Sequence, residues 1–211
     1  MKKKFILYFG ILFFYQILIL AIADSNQWWI KGKFYESIKG NLIVASPNIY
    51  DSKFKESVIV IFENTKDMSW GLTINKYMGL VSLRNFLNKS ELIKMKEKKI
   101  LDVKIPIYWG GPVEQQRYFI LHSKDYKNEN TKVYKNFFMT SDTETLIKIA
   151  ENKGPKNKLI IVGVSSWGEG QLEGEMERND WLISKIDKNF IFEEDKNKIW
   201  KFFFSKGFLR L

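Results

Sequence analysis

Residues 57–76, SVIVIFENTKDMSWGLTINK, contain two apolar runs separated by a short polar stretch. The run at 57–63 is β-branched and almost wholly apolar, which is typical of a strand that is buried on both faces. The polar residues 64–69 favour a turn, after which the run at 70–76 can return as a second strand. The stretch therefore predicts a buried β-hairpin.

Other apolar runs of strand length lie on both sides of this hairpin. The first of them, NLIVAS, is stopped by Pro47, which cannot continue a sheet interior. We predict strands over residues 41–46, 105–112, 117–123, 132–141 and 158–166, and extended chain over 180–187 and 189–194.

Helical spacing of apolar residues recurs between the strands. It predicts helices over residues 82–99, 141–154, 169–178 and 194–208. Ser141 is the expected N-cap of the second helix, with Glu144 completing a capping box. Because strands and helices alternate without a strict repeat, the pattern favours an α+β fold over a doubly wound one.

Composition limits the chemistry that the chain can carry. The chain has 211 residues, of which 45% are hydrophobic and 16% aromatic, enough for one domain with a sizeable core. It has no cysteine, which excludes disulfides and thiolate metal sites. Its single histidine, His122, excludes a multi-histidine metal site.

The chain is basic, with 34 Lys and Arg residues against 24 Asp and Glu residues and a net charge of +10. A basic surface can attract nucleic acid or anionic lipid. The lysines are scattered along the sequence and do not form one basic stripe, so the charge by itself does not indicate a nucleic-acid interface.

The N-terminus has the organisation of a targeting segment. Lys2–Lys4 precede an apolar stretch over residues 5–22, and Ala21-Ile22-Ala23 fits a cleavage site before Asp24. Residues 1–23 are thus a cleaved signal peptide or an N-terminal membrane anchor, which would hold the protein at the membrane through residues 5–22. Residues 24–39 are then a linker, and residues 40–211 form the domain. Either interpretation predicts an exported or membrane-tethered protein.

The stretch VGVSSWGEGQLEGEMERNDWL, residues 162–182, is rich in glycine and glutamate. Its acidic residues lie in the first turns of the predicted helix, where they would repel a nucleotide phosphate. Glu173 and Glu177 share one helical face and could bind Mg²⁺ together with Asp180. Paired surface carboxylates are more often only solvated, and a plain turn into a helix explains the same residues.

Several ordered blocks of the sequence resemble the YqgE/AlgH family. They are GNLIVASPNIYDSKFKESVIVIFEN at 40–64, WGLTINK at 70–76, WGGPVEQQRYFILH at 109–122 and SSWGEGQLEGEMERNDWL at 165–182. The resemblance spans roughly residues 40–208. It departs from the family pattern at Asn64, where the family usually has a histidine, and at Trp70, where methionine is common.

The resemblance implies a single α+β domain, with a bent mixed β-sheet forming a pseudo-barrel flanked by helices. The family has no established enzymatic activity, the resemblance implies no cofactor, and one branch of the family carries a transcriptional-regulator label. The family is generally cytosolic and leaderless, which makes the cytosol the alternative location. If the family shares a surface site, the matching positions here are Asp51, Asn75, Lys76, His122, Trp167, Gly168, Gly170, Gln171 and Glu173, with Pro47, Gly110, Gly111, Pro112 and Trp181 beside them.

Three functional hypotheses remain open at this point. The first is a non-enzymatic protein that acts by binding a protein partner. The second is a cytosolic regulator that contacts nucleic acid through its basic surface. The third is a Mg²⁺-dependent hydrolase that uses Glu173 and Glu177.

Overall fold

One curled β-sheet organises the part of the chain that the computed structural model describes, which is residues 32–34, 37–87, 101–192 and 195–205. Its strands are β1 (Leu42–Ala45), β2 (Val58–Asn64), β3 (Met68–Thr73), β4 (Tyr77–Ser82), β5 (Lys104–Trp109), β6 (Val113–His122), β7 (Lys132–Val133), β8 (Phe138–Thr140), β9 (Lys158–Gly168) and β10 (Trp181–Ser184). The predicted α+β fold is confirmed: the domain is single and its sheet forms a half-barrel flanked by helices.

The strands follow the order β10-β1-β2-β3-β9-β6-β8-β7, and β4 joins through β5 to β9. All pairings are antiparallel except that of β5 with β9. The predicted hairpin is present as β2 and β3, with Ile59 opposite Thr73 and Asn64 opposite Ser69. The two runs pair because each has enough β-branched and apolar side chains to lie between packed layers.

The sheet buries both of its faces. Along β2, Val58 and Val60 join one hydrophobic cluster, whereas Ile59 and Ile61 join another on the opposite face. This alternation follows from the two-residue period of a strand. A third cluster, around Leu146, packs the helix after β8 against β5, β6 and β9.

Helices cover the sheet at several places. They are α1 (Leu83–Phe86), α2 (Thr143–Ala150), α3 (Gln171–Glu177), α4 (Lys188–Ile191) and α5 (Lys196–Ser205), and a 3-10 helix spans Ser52–Phe54. No helix in the described ranges is long and apolar enough to cross a membrane. The leader at 1–23 and most of the linker at 24–39 lie outside the described residues, so both stay predictions.

Several predicted boundaries are wrong. The N-cap of α2 is Asp142, not Ser141, because the Asp142 carboxylate accepts the Thr145 N–H at 2.9 Å. Residues 132–141 form two short strands, since the chain turns where the Tyr134 N–H donates to the Phe137 carbonyl at 3.0 Å. The segment predicted as extended at 189–194 contains α4, whose Ile191 is buried against the core.

The region after the hairpin also differs from the prediction. Residues 77–82 form strand β4, which the sequence did not indicate. The helix predicted over 82–99 begins at Leu83, with Ser82 as its N-cap, and ends at Phe86, because Leu87 is extended. Residues 88–99 of that prediction lie outside the described part of the chain, as do 194 and 206–208 of the last predicted helix. The strand was missed because Gly79 interrupts its apolar pattern at a bulge opposite β5.

Close backbone contact between two segments closes the half-barrel. Gly163, in the middle of β9, has φ of 74°, which bends that strand. Gly110 and Gly111 cross this bend so closely that a Cβ on Gly111 would lie 2.1 Å from the Val164 carbonyl carbon. The Gly110 carbonyl accepts the Thr73 N–H at 3.1 Å and the Ser165 hydroxyl at 2.9 Å, which ties β3 and β9 together. The predicted turn at 110–112 is therefore also a crossing point that requires glycine.

We expect Gly111→Ala to destabilise the fold strongly, because its Cβ would meet backbone atoms that cannot move independently. Strain at the positive φ alone costs about 1–3 kcal/mol, and the clash adds to it. Gly79→Ala is the matched control: its φ of 140° is also positive, but its Cβ would meet nothing within 4 Å. Urea unfolding measures both changes. Equal losses in the two variants would show that the crossing does not limit stability.

Candidate functional site

The structure distributes the candidate residues over two clefts and one buried position. Asp51, Trp167 and Gln171 line one cleft, and Asn75 and Lys76 line another. Gly168, Gly170 and Glu173 lie beside the first cleft at the start of α3. His122 lines neither cleft. The positions that the family resemblance groups together therefore do not form one pocket.

The first cleft, here called the tryptophan cleft, has a volume of about 170 Å³. It lies where α3 and the loop before the 3-10 helix meet the sheet. Its lining residues are Ile49, Tyr50, Asp51, Phe54, Pro112, Ser166, Trp167, Gln171, Glu175, Arg178, Asp180 and Trp181. The lining combines aromatic rings with several carboxylates.

Glu175 holds the floor of the tryptophan cleft in place. One of its carboxylate oxygens accepts the indole N–H of Trp167 at 2.9 Å and that of Trp181 at 2.7 Å. The other oxygen accepts the side-chain amide N–H of Gln171 at 3.1 Å. The two tryptophans are buried, 4% and 3% exposed, and their rings meet edge to face with centroids 6.1 Å apart. A single carboxylate therefore fixes both indoles relative to α3.

The sequence analysis did not select Glu175 as a site residue, since only Glu173 and Glu177 of the α3 glutamates were considered as Mg²⁺ ligands. A usable signal existed, because Gln171 and Glu175 are four residues apart on one helical face. The sequence could not show that the two tryptophans lie beside Glu175, because Trp181 belongs to a different element, β10.

The loop that carries Asp51 is fastened at one end and exposed at the other. The Asp51 carboxylate accepts the Lys53 N–H at 2.9 Å, which caps the 3-10 helix. The Phe54 ring lies 5.6 Å from that of Trp181 and 5.3 Å from that of Trp109. Tyr50 is 89% exposed at the rim of the cleft. The loop therefore presents a large aromatic side chain on an anchored backbone.

Arg178 and Asp180 form an ion pair beside the two tryptophans. The Arg178 guanidinium donates from Nε at 3.1 Å and from Nη2 at 2.8 Å to the same Asp180 oxygen. Asp180 is 7% exposed, so this charge is largely removed from water and needs its partner. The pair therefore positions the end of α3 against the start of β10.

Glycines and a carboxylate shape the start of α3. Gly170 has φ of 68° and its carbonyl accepts the N–H groups of Gly32 and Gly174. The Gly168 N–H donates to the side-chain oxygen of Gln171 at 3.2 Å. Glu173 accepts the amide N–H of Asn64 at 3.1 Å. These residues build the turn and fasten it to β2.

Asn64 forms side-chain hydrogen bonds with three other segments of the chain. Its Oδ1 accepts the Ile38 N–H at 2.9 Å, and its Nδ2 donates to the Ser69 hydroxyl at 2.8 Å as well as to Glu173. The side chain is buried, and every polar atom of its amide has a partner. Asn64 is therefore a structural link between β2, β3 and α3.

The carboxylates proposed for Mg²⁺ are each engaged elsewhere. Glu173 accepts from Asn64, Glu177 accepts the Lys33 N–H at 3.0 Å, and Asp180 pairs with Arg178. No group of three or more His, Asp or Glu side chains that could hold a metal ion occurs within the described ranges. The geometry gives the hydrolase hypothesis no support.

The second cleft, here called the lysine cleft, has a volume of about 540 Å³. Its lining residues are Glu56, Asn75, Lys76, Tyr77, Tyr108, Asp195, Lys196 and Trp200. Burial lowers the pKa of Lys76 below its ordinary 10.5, and the nearby Glu56 charge opposes this. Burial, together with the neighbouring Tyr77, raises the pKa of Tyr108. The cleft thus contains a partly dehydrated ammonium group, that of Lys76, and a partly dehydrated phenol, that of Tyr108.

His122 is fully buried at the end of β6. Its Nδ1 contacts the Ser123 carbonyl at 2.9 Å, while its Nε2 has no hydrogen-bond partner in the described structure. The Tyr126 and Phe138 rings meet it edge to face. Burial lowers its pKa below 6.5, against the opposing effects of the Ser123 carbonyl and Asp125. The imidazole is therefore a neutral core residue.

We expect Glu175→Ala to lower the free energy of unfolding by about 2–4 kcal/mol, because two buried indole N–H groups lose their acceptor. Glu175→Gln keeps one carbonyl oxygen and should lose less. Glu177→Ala, on the same helix, is the control, since its exposed side chain accepts the backbone N–H of Lys33 instead of a buried indole N–H. Urea unfolding followed by tryptophan fluorescence measures all three. A loss in Glu177→Ala as large as that in Glu175→Ala would contradict the role of Glu175.

We expect stability to fall as the pH drops below about 6.5, the pKa of His122 in the unfolded chain. The folded pKa is lower, so the unfolded state binds more protons in this window and is favoured there, with no effect above it. The slope approaches about 1.4 kcal/mol per pH unit. His122→Phe should flatten it, since His122 is the only histidine in the chain. An unchanged slope in the variant would assign the effect to carboxylates.

Comparisons with known proteins agree with the resemblance noted in the sequence. A UPF0301 protein of Rickettsia prowazekii (strain Madrid E) is 37% identical over 171 residues, which cover 80% of this chain and 87% of that protein. A UPF0301 protein of Rickettsia canadensis (strain McKiel) is 36% identical over the same shares of the two chains.

Solved structures show the same fold. The solution structure of the AlgH protein from Pseudomonas aeruginosa matches with a TM-score of 0.66 at 27% identity, over 85% of this chain and 94% of that one. The crystal structure of DIP2367 from Corynebacterium diphtheriae shares the fold, with a TM-score of 0.52 at 21% identity over 74% of this chain and 80% of that one. The family model described as AlgH-like matches residues 42–206. The chain therefore belongs to the YqgE/AlgH family, whose molecular function is uncharacterised.

Proposed function

We propose that this protein acts by binding a partner protein at the tryptophan cleft. The observation that carries the proposal is the exposed Tyr50 beside a fixed aromatic floor of Trp167 and Trp181. Exposed tyrosine next to well-packed tryptophan is typical of the residues that dominate binding energy in protein interfaces. Because Phe54 anchors the loop, little conformational entropy is lost when Tyr50 is covered.

The size of the cleft favours a partner side chain over a whole substrate. Its volume of about 170 Å³ lies below the roughly 300–1,000 Å³ that small-molecule pockets occupy. A cleft of this size can accept one side chain of a larger binding surface.

Charge favours a basic side chain in that position. The lining holds three carboxylates, Asp51, Glu175 and Asp180, against the single guanidinium of Arg178. The cleft is therefore acidic on a chain whose net charge is +10. Electrostatic complementarity would select a lysine or arginine of the partner and would disfavour a nucleic-acid phosphate.

The state of the carboxylates favours binding over catalysis. Glu175 accepts from Trp167, Trp181 and Gln171, and Asp180 pairs with Arg178. A general acid or base has to exchange a proton with a substrate, which groups held in structural hydrogen bonds do poorly. We place this binding outside the cytoplasm or at the membrane surface, where the predicted leader would deliver the domain.

In-cell photo-crosslinking tests the proposal. A benzoylphenylalanine at Tyr50 should capture one protein, whereas the same group at Val133, which is 59% exposed and lines neither cleft, should not. With the captured partner purified, Tyr50→Ala should weaken binding by about thirtyfold, the effect of losing an interface hot spot. The intact mass of the recovered protein shows in the same preparation whether it begins at Asp24.

Two results would overturn the proposal. Equal capture at Tyr50 and Val133 would remove the cleft from the interface. Crosslinks to nucleic acid, with a gel shift that weakens steeply with salt, would favour the nucleic-acid alternative.

A further inference from the structure

The lysine cleft has the dimensions of a small-molecule site and lies apart from the proposed partner surface. Its volume of about 540 Å³ falls within the roughly 300–1,000 Å³ of small-ligand pockets. The lining residues of the two clefts do not overlap. The cleft is formed by the turn between β3 and β4, by β5 and by the first turns of α5.

Two lysine ammonium groups in this cleft have lost much of their water. Lys196 is only 8% exposed, and its ammonium lies 5.4 Å from the centre of the Tyr108 ring. Lys76 is half-buried, donates to the Lys55 carbonyl and has a pKa that burial lowers. A partly dehydrated ammonium such as that of Lys76 gains free energy when an anion replaces the lost water, so Lys76 favours a negatively charged ligand.

Aromatic rings supply an apolar surface beside these cations. Tyr77 is 54% exposed, and its ring lies 5.6 Å from that of Tyr108 at an angle of 58°. The Trp200 indole N–H donates to the Ala45 carbonyl at 2.8 Å, which fixes the orientation of its ring. A planar ring of a ligand can cover the exposed face of Tyr77 and gain both hydrophobic and stacking energy there.

A strained turn forms one wall of the cleft. Glu56 has a φ of 58°, a left-handed backbone conformation that residues other than glycine and asparagine seldom adopt. Asn75 holds this turn, because its Nδ2 donates to the Glu56 carbonyl at 2.8 Å and its Oδ1 accepts the Val58 N–H at 2.8 Å. Asn75 thus shapes the wall, which leaves the lysines and rings to contact a ligand.

The carboxylates of the cleft limit how much negative charge a ligand can carry. Glu56 lies close enough to Lys76 to influence its pKa, and Asp195 lies 3.5 Å from Lys198. With two carboxylates and two ammonium groups in the lining, a polyphosphate would meet repulsion as well as attraction. A single negative charge suits the cleft better.

We propose that the lysine cleft binds a small organic monoanion with a planar ring, such as an aromatic carboxylate. Its carboxylate contacts the Lys76 ammonium, and its ring covers Tyr77. This site is independent of the tryptophan cleft and of the partner proposed for it.

Amide NMR shifts of the ¹⁵N-labelled full chain test the proposal with 4-hydroxybenzoate as the probe. We expect shifts centred on residues 75–77, Tyr108 and the Trp200 indole. The neutral isostere 4-hydroxybenzamide should bind at least about tenfold more weakly, since it lacks the charge that makes the hydrogen bond strong.

Variants separate the role of Lys76 from a general effect of charge. Lys76→Gln should weaken binding by about tenfold, and Lys76→Arg should restore most of it. Lys66→Gln, in the exposed turn between β2 and β3, removes the same charge elsewhere and should change nothing. Tyr50→Ala should also leave the affinity unchanged, which distinguishes this site from the partner surface.

Several outcomes would overturn the proposal. Equal binding of the benzoate and the benzamide would remove the anion requirement. Shifts centred on Trp167 and Trp181 would place the ligand in the other cleft. If Lys76→Gln unfolds the chain, Tyr77→Ala decides instead. Because Tyr77 is 54% exposed, we expect this variant to fold, and unchanged affinity would refute the ring contact.

Discussion

Three glycines that touch backbone to backbone are the constraint on which both clefts depend. A Cβ on Gly110 would lie 2.2 Å from the Gly163 carbonyl oxygen, and one on Gly163 would lie 2.4 Å from that of Gly111. The crossing fixes the short segment between β5 and β6 against the bend of β9. Tyr108, just before it, lines the lysine cleft, and Pro112, just after it, lines the tryptophan cleft. One contact therefore positions walls of two sites with different chemistry.

The two clefts use their charged groups in different ways. In the tryptophan cleft the charges hold the architecture, since Glu175 fixes two indoles and Asp180 pairs with Arg178. In the lysine cleft the uncharged Asn75 holds the wall, while the ammonium groups face a larger space. The first arrangement suits a rigid surface for a protein, and the second suits a small ligand that contacts Lys76 and the exposed ring of Tyr77.

The sequence predicted the elements that depend on local patterns and missed the features that depend on contacts between different segments of the chain. The buried hairpin and the α+β class followed from apolar runs, which are a local property of the sequence. The N-cap of α2 is Asp142 and not Ser141. Both of these neighbouring side chains can cap a helix, and Asn128 also donates to the Asp142 carboxylate. The candidate residues divided between two clefts because spacing along a chain does not tell which side of a curled sheet a side chain faces. Glu175 was missed for the same reason, since its partner Trp181 belongs to another element.

The hydrogen bonds of Asn64 explain why an asparagine fits this position of the chain. It stands where the family resemblance leads one to expect a histidine, and its amide makes three contacts at once, with Ile38, Ser69 and Glu173. A neutral imidazole has one donor and one acceptor, so it could satisfy only two of these partners. An imidazole would also gain charge near neutral pH beside the Glu173 carboxylate, whereas an amide does not titrate. In this chain one amide therefore joins the segment at Ile38, the hairpin and α3 at the same time.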